Sequence, residues 1–150
     1  MENENNCEGR ITAFKIGDIV FNKLRPYLHK VYFADREGGT LGELLIITSN
    51  GKLAPKFLFY KLFSKSFIDI VDSATQGTKK PRANWNDFIC TLPVDYPAEI
   101  TEQNLIVGYL DEVIKEKEDA ISKINREIEL LKEYKKALIS EVVTGKIKIV

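Results

Sequence analysis

Hydrophobic positions follow two different rhythms along this chain, and the change falls near Leu92 to Ile100, where Pro93 and Pro97 bracket a short extended stretch. Ahead of it, short apolar runs alternate with turn residues. Asp18-Ile19-Val20-Phe21 follows Gly17 and reads as a strand, Lys30 to Ala34 as a second, and Glu43 to Thr48 as a third that stops at Asn50-Gly51. Gly38-Gly39 reads as a turn. Pro55 suits the first turn of a helix, where its missing N–H has no helical partner. From it Phe57, Leu58, Phe59, Leu62, Phe63, Phe67, Ile70 and Val71 make a stripe wide enough to pack on a sheet, so one helix is expected there. Residues 73–85 have the composition of a loop, and Phe88 to Leu92 that of a further short strand.

Behind the change the rhythm is helical. Leu110, Ile114, Lys117, Ile121, Ile124, Ile128, Leu131, Lys135, Leu138 and Val142 recur at alternating steps of four and three, a heptad seam. Charged residues flank it, and Asp111 to Lys115 and Asp119 to Lys123 add i,i+4 support. Thr101 is the expected N-cap and Gly145 the C′ residue, so one helix of about 60 Å is expected over Glu102 to Val143 at ~1.5 Å per residue. A narrow stripe of that length cannot be buried by a small globule. It calls for an equally long helical partner from elsewhere, since a hairpin with residues 55–72 would cover less than half of it. Gly108 costs about 1 kcal/mol inside a helix and is expected to mark a close contact or a bend.

Composition narrows the function classes. With 44% apolar residues the chain can build a core, and with 22 basic against 22 acidic residues it has no overall field to draw it onto nucleic acid. Any DNA affinity must be local. Residues before Pro97 carry 13 basic and 11 acidic side chains, the rest 9 and 11. Cys7, Cys90 and a single histidine, His29, supply neither a disulfide framework nor a zinc cluster, so no metal or cofactor is expected. The polar, acidic first ten residues and the lack of a long apolar run point to a cytoplasmic protein.

Two basic segments are candidates for phosphate contact. Thr75 to Trp85 gathers Gln76, Gly77, Thr78, Lys79, Lys80, Pro81 and Arg82; its short donors and cations suit phosphate oxygens, and Arg82 can present two donors to a phosphate or a guanine edge. From composition alone it reads better as a solvated surface loop that Trp85 anchors to the core. Lys23, Arg25 and Tyr27 alternate along an extended segment, where lysines also serve to protect a strand edge. Enzyme motifs are weak. Gly38-Gly39-Thr40-Leu41-Gly42 precedes a strand, where a nucleotide loop should precede a helix. Glu133-Tyr134-Lys135 resembles the end of a nuclease metal motif but lies inside the heptad helix with no acidic strand upstream.

Three segments together resemble the DNA specificity subunit of type I restriction-modification systems: Gly17-Asp18-Ile19-Val20 with Lys23-Leu24-Arg25-Pro26-Tyr27-Leu28; Gly77-Thr78-Lys79-Lys80-Pro81-Arg82-Ala83-Asn84-Trp85; and the long run from Leu130 to Ile147. The resemblance covers nearly everything from Ile11 onward. It implies an α+β chain: a small mixed target-recognition domain over residues 1–98, then a long coiled-coil helix with a short tail over residues 99–150. It implies no catalytic residue, recognition of half of a bipartite double-stranded DNA site, and docking of the methyltransferase subunit, with the restriction subunit as a further partner. Family subunits carry two such units, so this chain is expected to dimerise or to pair with another specificity-subunit helix, through Leu110, Ile114, Ile121, Ile124, Ile128, Leu131, Leu138 and Val142. Because members read different sites, a motif that marks the family suits phosphate contact or scaffolding better than base discrimination. Lys79, Lys80 and Arg82 are therefore expected at the backbone, with Gln76, Thr78, Lys23 and Arg25 as further contacts. Only about ten polar residues precede Ile11, so the domain is expected to be clipped at its front. The alternative is a protein-interaction fragment that dimerises through the coiled coil without binding DNA.

Overall fold

The computed structural model describes residues 11–75, 81–86 and 88–149. The fold is α+β, with small antiparallel sheets, short helices and one long helix. Five strands come first: β1 (Thr12–Phe14), β2 (Ile19–Asn22), β3 (Val31–Phe33), β4 (Gly38–Thr40) and β5 (Leu44–Ile47). Helices α1 (Pro55–Phe63) and α2 (Lys65–Ser73) follow, and α3 (Ile100–Val143) closes the chain. Short 3-10 turns occupy Pro26–Leu28 and Ile89–Thr91.

The central sheet has the order β3-β2-β5, all antiparallel, with Val20 opposite both Tyr32 and Ile46. Alternation along β2 sends Ile19 and Phe21 to the helical side. There Ile19 packs with Leu58 and Leu62 of α1, and Phe21 with Ile68 and Val71 of α2, Ala83 and Ile89. Strand β2 is thus the centre of the core, as its apolar run predicted. Asp18 brackets its start: one carboxylate oxygen accepts the Lys15 N–H at 2.8 Å and the other accepts the Thr48 hydroxyl at 2.7 Å. Gly17, at φ 88°, makes the left-handed turn this requires.

Four local expectations are corrected. Gly38-Gly39 is no turn but the body of β4, paired with β1 so that Phe14 opposes Gly38. A Cβ on Gly38 would lie 2.5 Å from the Phe14 ring, so the glycine lets the aromatic ring cover the strand, where a turn signal hid a strand. The single helix over 55–72 is two, because Ser64 takes an extended ψ of 144°, its hydroxyl accepting the Phe67 N–H and capping α2. Where a strand was expected over 88–92, Ile89–Thr91 form a 3-10 turn, with the Leu92 N–H returning to Ile89 O at 3.2 Å. Thr101 lies inside α3, which begins at Ile100. At the far end Gly145 (φ 74°) donates to Val142 O and Lys146 to Glu141 O, the paired bonds of a Schellman motif, as the glycine predicted.

The chain divides into two compact units, Met1–Val107 and Gly108–Val150. In the first, Gln103 is fully buried: its Oε1 accepts the Ala54 N–H at 2.7 Å, and its Nε2 donates to Lys52 O at 3.1 Å and Pro97 O at 2.8 Å. One amide side chain thereby satisfies three backbone groups and ties the first turn of α3 into that unit. Gly108 contacts nothing where a Cβ would sit, so the close contact expected there is not present in this chain alone.

Candidate nucleic-acid interface and helix-pairing face

The two basic segments singled out above meet in the fold. Asn22 closes a tight turn at the end of β2, its Oδ1 accepting the Leu24 N–H at 2.8 Å. Arg25 then adopts a left-handed conformation (φ 54°) that swings the chain into the turn starting at Pro26. Against this segment lies the second half of the loop. Leu24 and Arg82 form an antiparallel bridge, the Arg25 N–H donates to Pro81 O at 2.9 Å, and the Ala83 N–H donates to Lys23 O at 3.0 Å. Lys23, Arg25 and Arg82 thus belong to two backbone segments held side by side, although they are far apart in sequence.

Beside them opens a surface cleft of about 410 Å³ lined by Lys23, Leu45, Arg82, Ala83, Asn84, Trp85 and Asn86. Its mixed walls suit a ligand that offers hydrogen-bond acceptors. Trp85 is half-buried against the core cluster around Phe21 while also lining the cleft, the anchoring expected of it. Two further hydrogen bonds stiffen the rim: the Asn86 N–H donates to Asn84 Oδ1 at 3.1 Å, and the Cys90 N–H to Trp85 O at 3.0 Å.

The charges in the cleft are not all available. The Arg82 guanidinium forms an ion pair with Glu43 just before β5, both side chains about half exposed. Backbone pairing strengthens that corner, since the Lys23 N–H donates to Glu43 O at 3.0 Å. Glu43 was missed from the sequence. It sits outside every basic motif, and only the folding of β5 against β2 brings it to Arg82. Lys23 is half-buried and Arg25 exposed. Gln76, Thr78, Lys79 and Lys80 lie outside the described residues. Among the described residues no cluster of three or more histidine, cysteine, aspartate or glutamate side chains is placed to hold a metal ion.

In the second unit the heptad seam lies on one face of α3 and is exposed. Ile121 is 57% accessible, Ile124 55%, Ile128 43% and Leu131 66%; Ile114 and Leu138 are exposed to a lesser degree, and Leu110 and Val142 are intermediate. The flanks are charged and solvated, with Lys132 and Glu129 paired at 2.7 Å, and Lys117 on the seam itself reaches flanking Glu116 at 3.6 Å, all highly exposed. Such pairs add little to stability. A run of exposed isoleucines and leucines on a regular seam is far more apolar surface than a solvated helix needs. No helix of the described residues is long and apolar enough to cross a membrane.

No protein-family model matches the chain. A search of known proteins finds the type I restriction enzyme EcoDI specificity subunit of Escherichia coli, 31% identical over 119 residues, a match that takes in 75% of this chain and 26% of that protein. The chain thus spans about a quarter of the length of its relative. The resemblance in the sequence motifs and the identity across most of the chain agree, and the chain is a relative of the specificity subunits of type I restriction enzymes.

Proposed function

We propose that this chain is a non-catalytic, cytoplasmic DNA-recognition component of a type I restriction-modification system. Its mixed domain contacts half of a bipartite double-stranded DNA site. Its long helix pairs with a second helix, from another copy or another specificity subunit, and docks the methyltransferase subunit. The observation that carries this reading is the bridge between Leu24 and Arg82, which sets the cations of two separate segments at one rigid cleft, in a chain related to a specificity subunit. Backbone hydrogen bonds fix the main chain from which these cations project, so only their side chains remain to be ordered when a phosphate arrives, and each phosphate neutralised releases counterions.

Binding of duplexes selected from a random pool, followed by fluorescence anisotropy across a salt series, tests the reading. Replacing Lys23, Arg25, Lys79, Lys80 and Arg82 by alanine is expected to weaken binding at fixed salt and to flatten its salt dependence. Unchanged binding would remove the cleft from the DNA interface. The pairing of Arg82 with Glu43 favours a second use of the same corner, as a scaffold for the loop. On that reading the chain is an interaction module held together by its helix, and no duplex is enriched from the pool.

A further inference from the structure

We infer that Glu43 is a base-reading residue, its carboxylate accepting a hydrogen bond from the exocyclic amino group of a cytosine in the major groove. This rests on the proposed contact of the mixed domain with double-stranded DNA, and it names one residue that sets the sequence preference of that contact. Arg82 lies within a motif that marks the family and therefore suits the DNA backbone. Glu43 lies outside all three segments that carry the resemblance, so the reason for excluding Arg82 from base discrimination does not apply to it.

The fold brings this carboxylate to a cationic corner with half of its acceptor capacity unused. Glu43 Oε1 accepts from Arg82 Nη2, and among the described residues Oε2 has no hydrogen-bond partner. Both side chains reach solvent, while both main chains are fixed. Glu43 O accepts the Lys23 N–H at 3.0 Å and β5 begins at the next residue; Arg82 is bridged to Leu24, and the Ala83 N–H beside it donates to Lys23 O at 3.0 Å. Lys23 and Arg82 both line the cleft, so the carboxylate stands at its edge in a constant position.

Phosphates repel an anion, so a carboxylate beside a DNA-binding cleft needs a compensating contact. Arg82 supplies part of it by offsetting the charge of Glu43 while its remaining N–H groups stay available to a phosphate. The rest has to come from a donor on the bases, because a carboxylate offers acceptors only. In the major groove guanine presents N7 and O6 and thymine presents O4, all of them acceptors; cytosine and adenine alone carry an amino group there. Adenine sets its N7 beside that amino group, where it repels a second acceptor, whereas cytosine presents the amino group as its sole polar feature. In the minor groove the one amino group is that of guanine, and the potential of the two phosphate rows flanking it disfavours an anion. Cytosine in the major groove is the edge that remains.

Selection of duplexes from a random pool with the full chain, followed by affinity measurements on single-base changes, tests this. The wild-type chain is expected to enrich cytosine at one position, and Glu43→Ala to lower the preference there about tenfold while leaving the other selected positions as they are. Glu43→Gln keeps an acceptor for Arg82 and adds a donor, so the preference at that position should move to adenine, whose N7 and amino group an amide meets together. Melting curves of both variants should match that of the wild type, since an exposed ion pair adds little to stability. An equal gain in affinity for every duplex would show that Glu43 only neutralises Arg82, and an equal loss that it only holds the loop; either result overturns the inference. Enriched duplexes whose base preferences survive both substitutions overturn it alone, and leave the DNA-binding reading standing. A wild-type chain that enriches no duplex removes that reading, and the role of Glu43 falls with it.

Discussion

The two units of this chain treat the same kinds of side chain in opposite ways. Phe21, at the centre of β2, is 1% exposed, while Ile121 and Ile124, in the middle of α3, are more than half exposed. The first unit builds a core between a sheet and two helices against one face, although Ile16, Leu41 and Leu105 stay exposed on it. The second presents a stripe that its own residues cannot cover. Burial in the first serves folding of this chain, and apolar surface in the second is available for association, so the two should respond differently to equivalent substitutions.

The sharpest break of that comparison is a pair of truncations. Phe21→Ala is expected to destabilise the first unit by about 3–5 kcal/mol, measured by denaturant unfolding, because it empties the place where Ile68, Val71, Ala83 and Ile89 converge. Ile124→Ala should leave the unfolding of that unit unchanged and weaken only helix association. Equal effects from the two would mean that the seam is buried within the chain.

Next in size comes Gln103, which shares its helix with the seam but belongs by burial to the first unit. Gln103→Leu keeps the volume yet leaves the Ala54 N–H and the carbonyls of Lys52 and Pro97 without their partner, at a cost of about 2–3 kcal/mol. A neutral result in thermal unfolding would show that water replaces the amide at little cost.

A smaller, pH-dependent effect attaches to Asp18. The Lys15 N–H, and then the Thr48 hydroxyl, hold its carboxyl below the ordinary value of 3.8, and their combined effect exceeds that of burial. A folded-state value below the unfolded one means that this stabilisation is present above about pH 4 and is lost as the pH falls through the depressed folded value. Asp18→Asn should therefore lower the melting temperature of the first unit at neutral pH, and flatten its decline in acid. An unaltered acid limb would locate that decline in other carboxylates.

The smallest expected change is a gain. Gly108 begins the second unit, and a Cβ there meets open space, so Gly108→Ala should raise helix stability by about 1 kcal/mol in circular dichroism melts. If association weakens at the same time, the open space beside Gly108 is where a partner approaches.

How much of this was legible in the sequence varied with the range of the interactions involved. Strands β2, β3 and β5 were readable because alternation and apolar runs are local, and α3 because its seam repeats over many turns. Strand β4 was not, since two glycines signal a turn unless the ring of Phe14 is known to cover them. Ser64 was hidden in a continuous apolar stripe, because whether a serine caps a new helix depends on the packing on either side of it. The cations were identified one segment at a time. Their meeting was invisible, because it depends on a bridge between Leu24 and Arg82, and the Glu43 ion pair had no local signal.

A mixed domain followed by a long helix with a heptad seam could be read from the amino-acid sequence, since both follow from periodicities written along one stretch of chain. Tertiary structure alone decided which faces meet. It decided that Gln103 would anchor the helix by filling backbone hydrogen bonds of the distant segment Lys52 to Ala54 as well as that of nearby Pro97, and that Arg82 would stand beside Lys23 with Glu43 at its side. Such contacts depend on the packing of β2 against its neighbours, and no spacing along the chain encodes them.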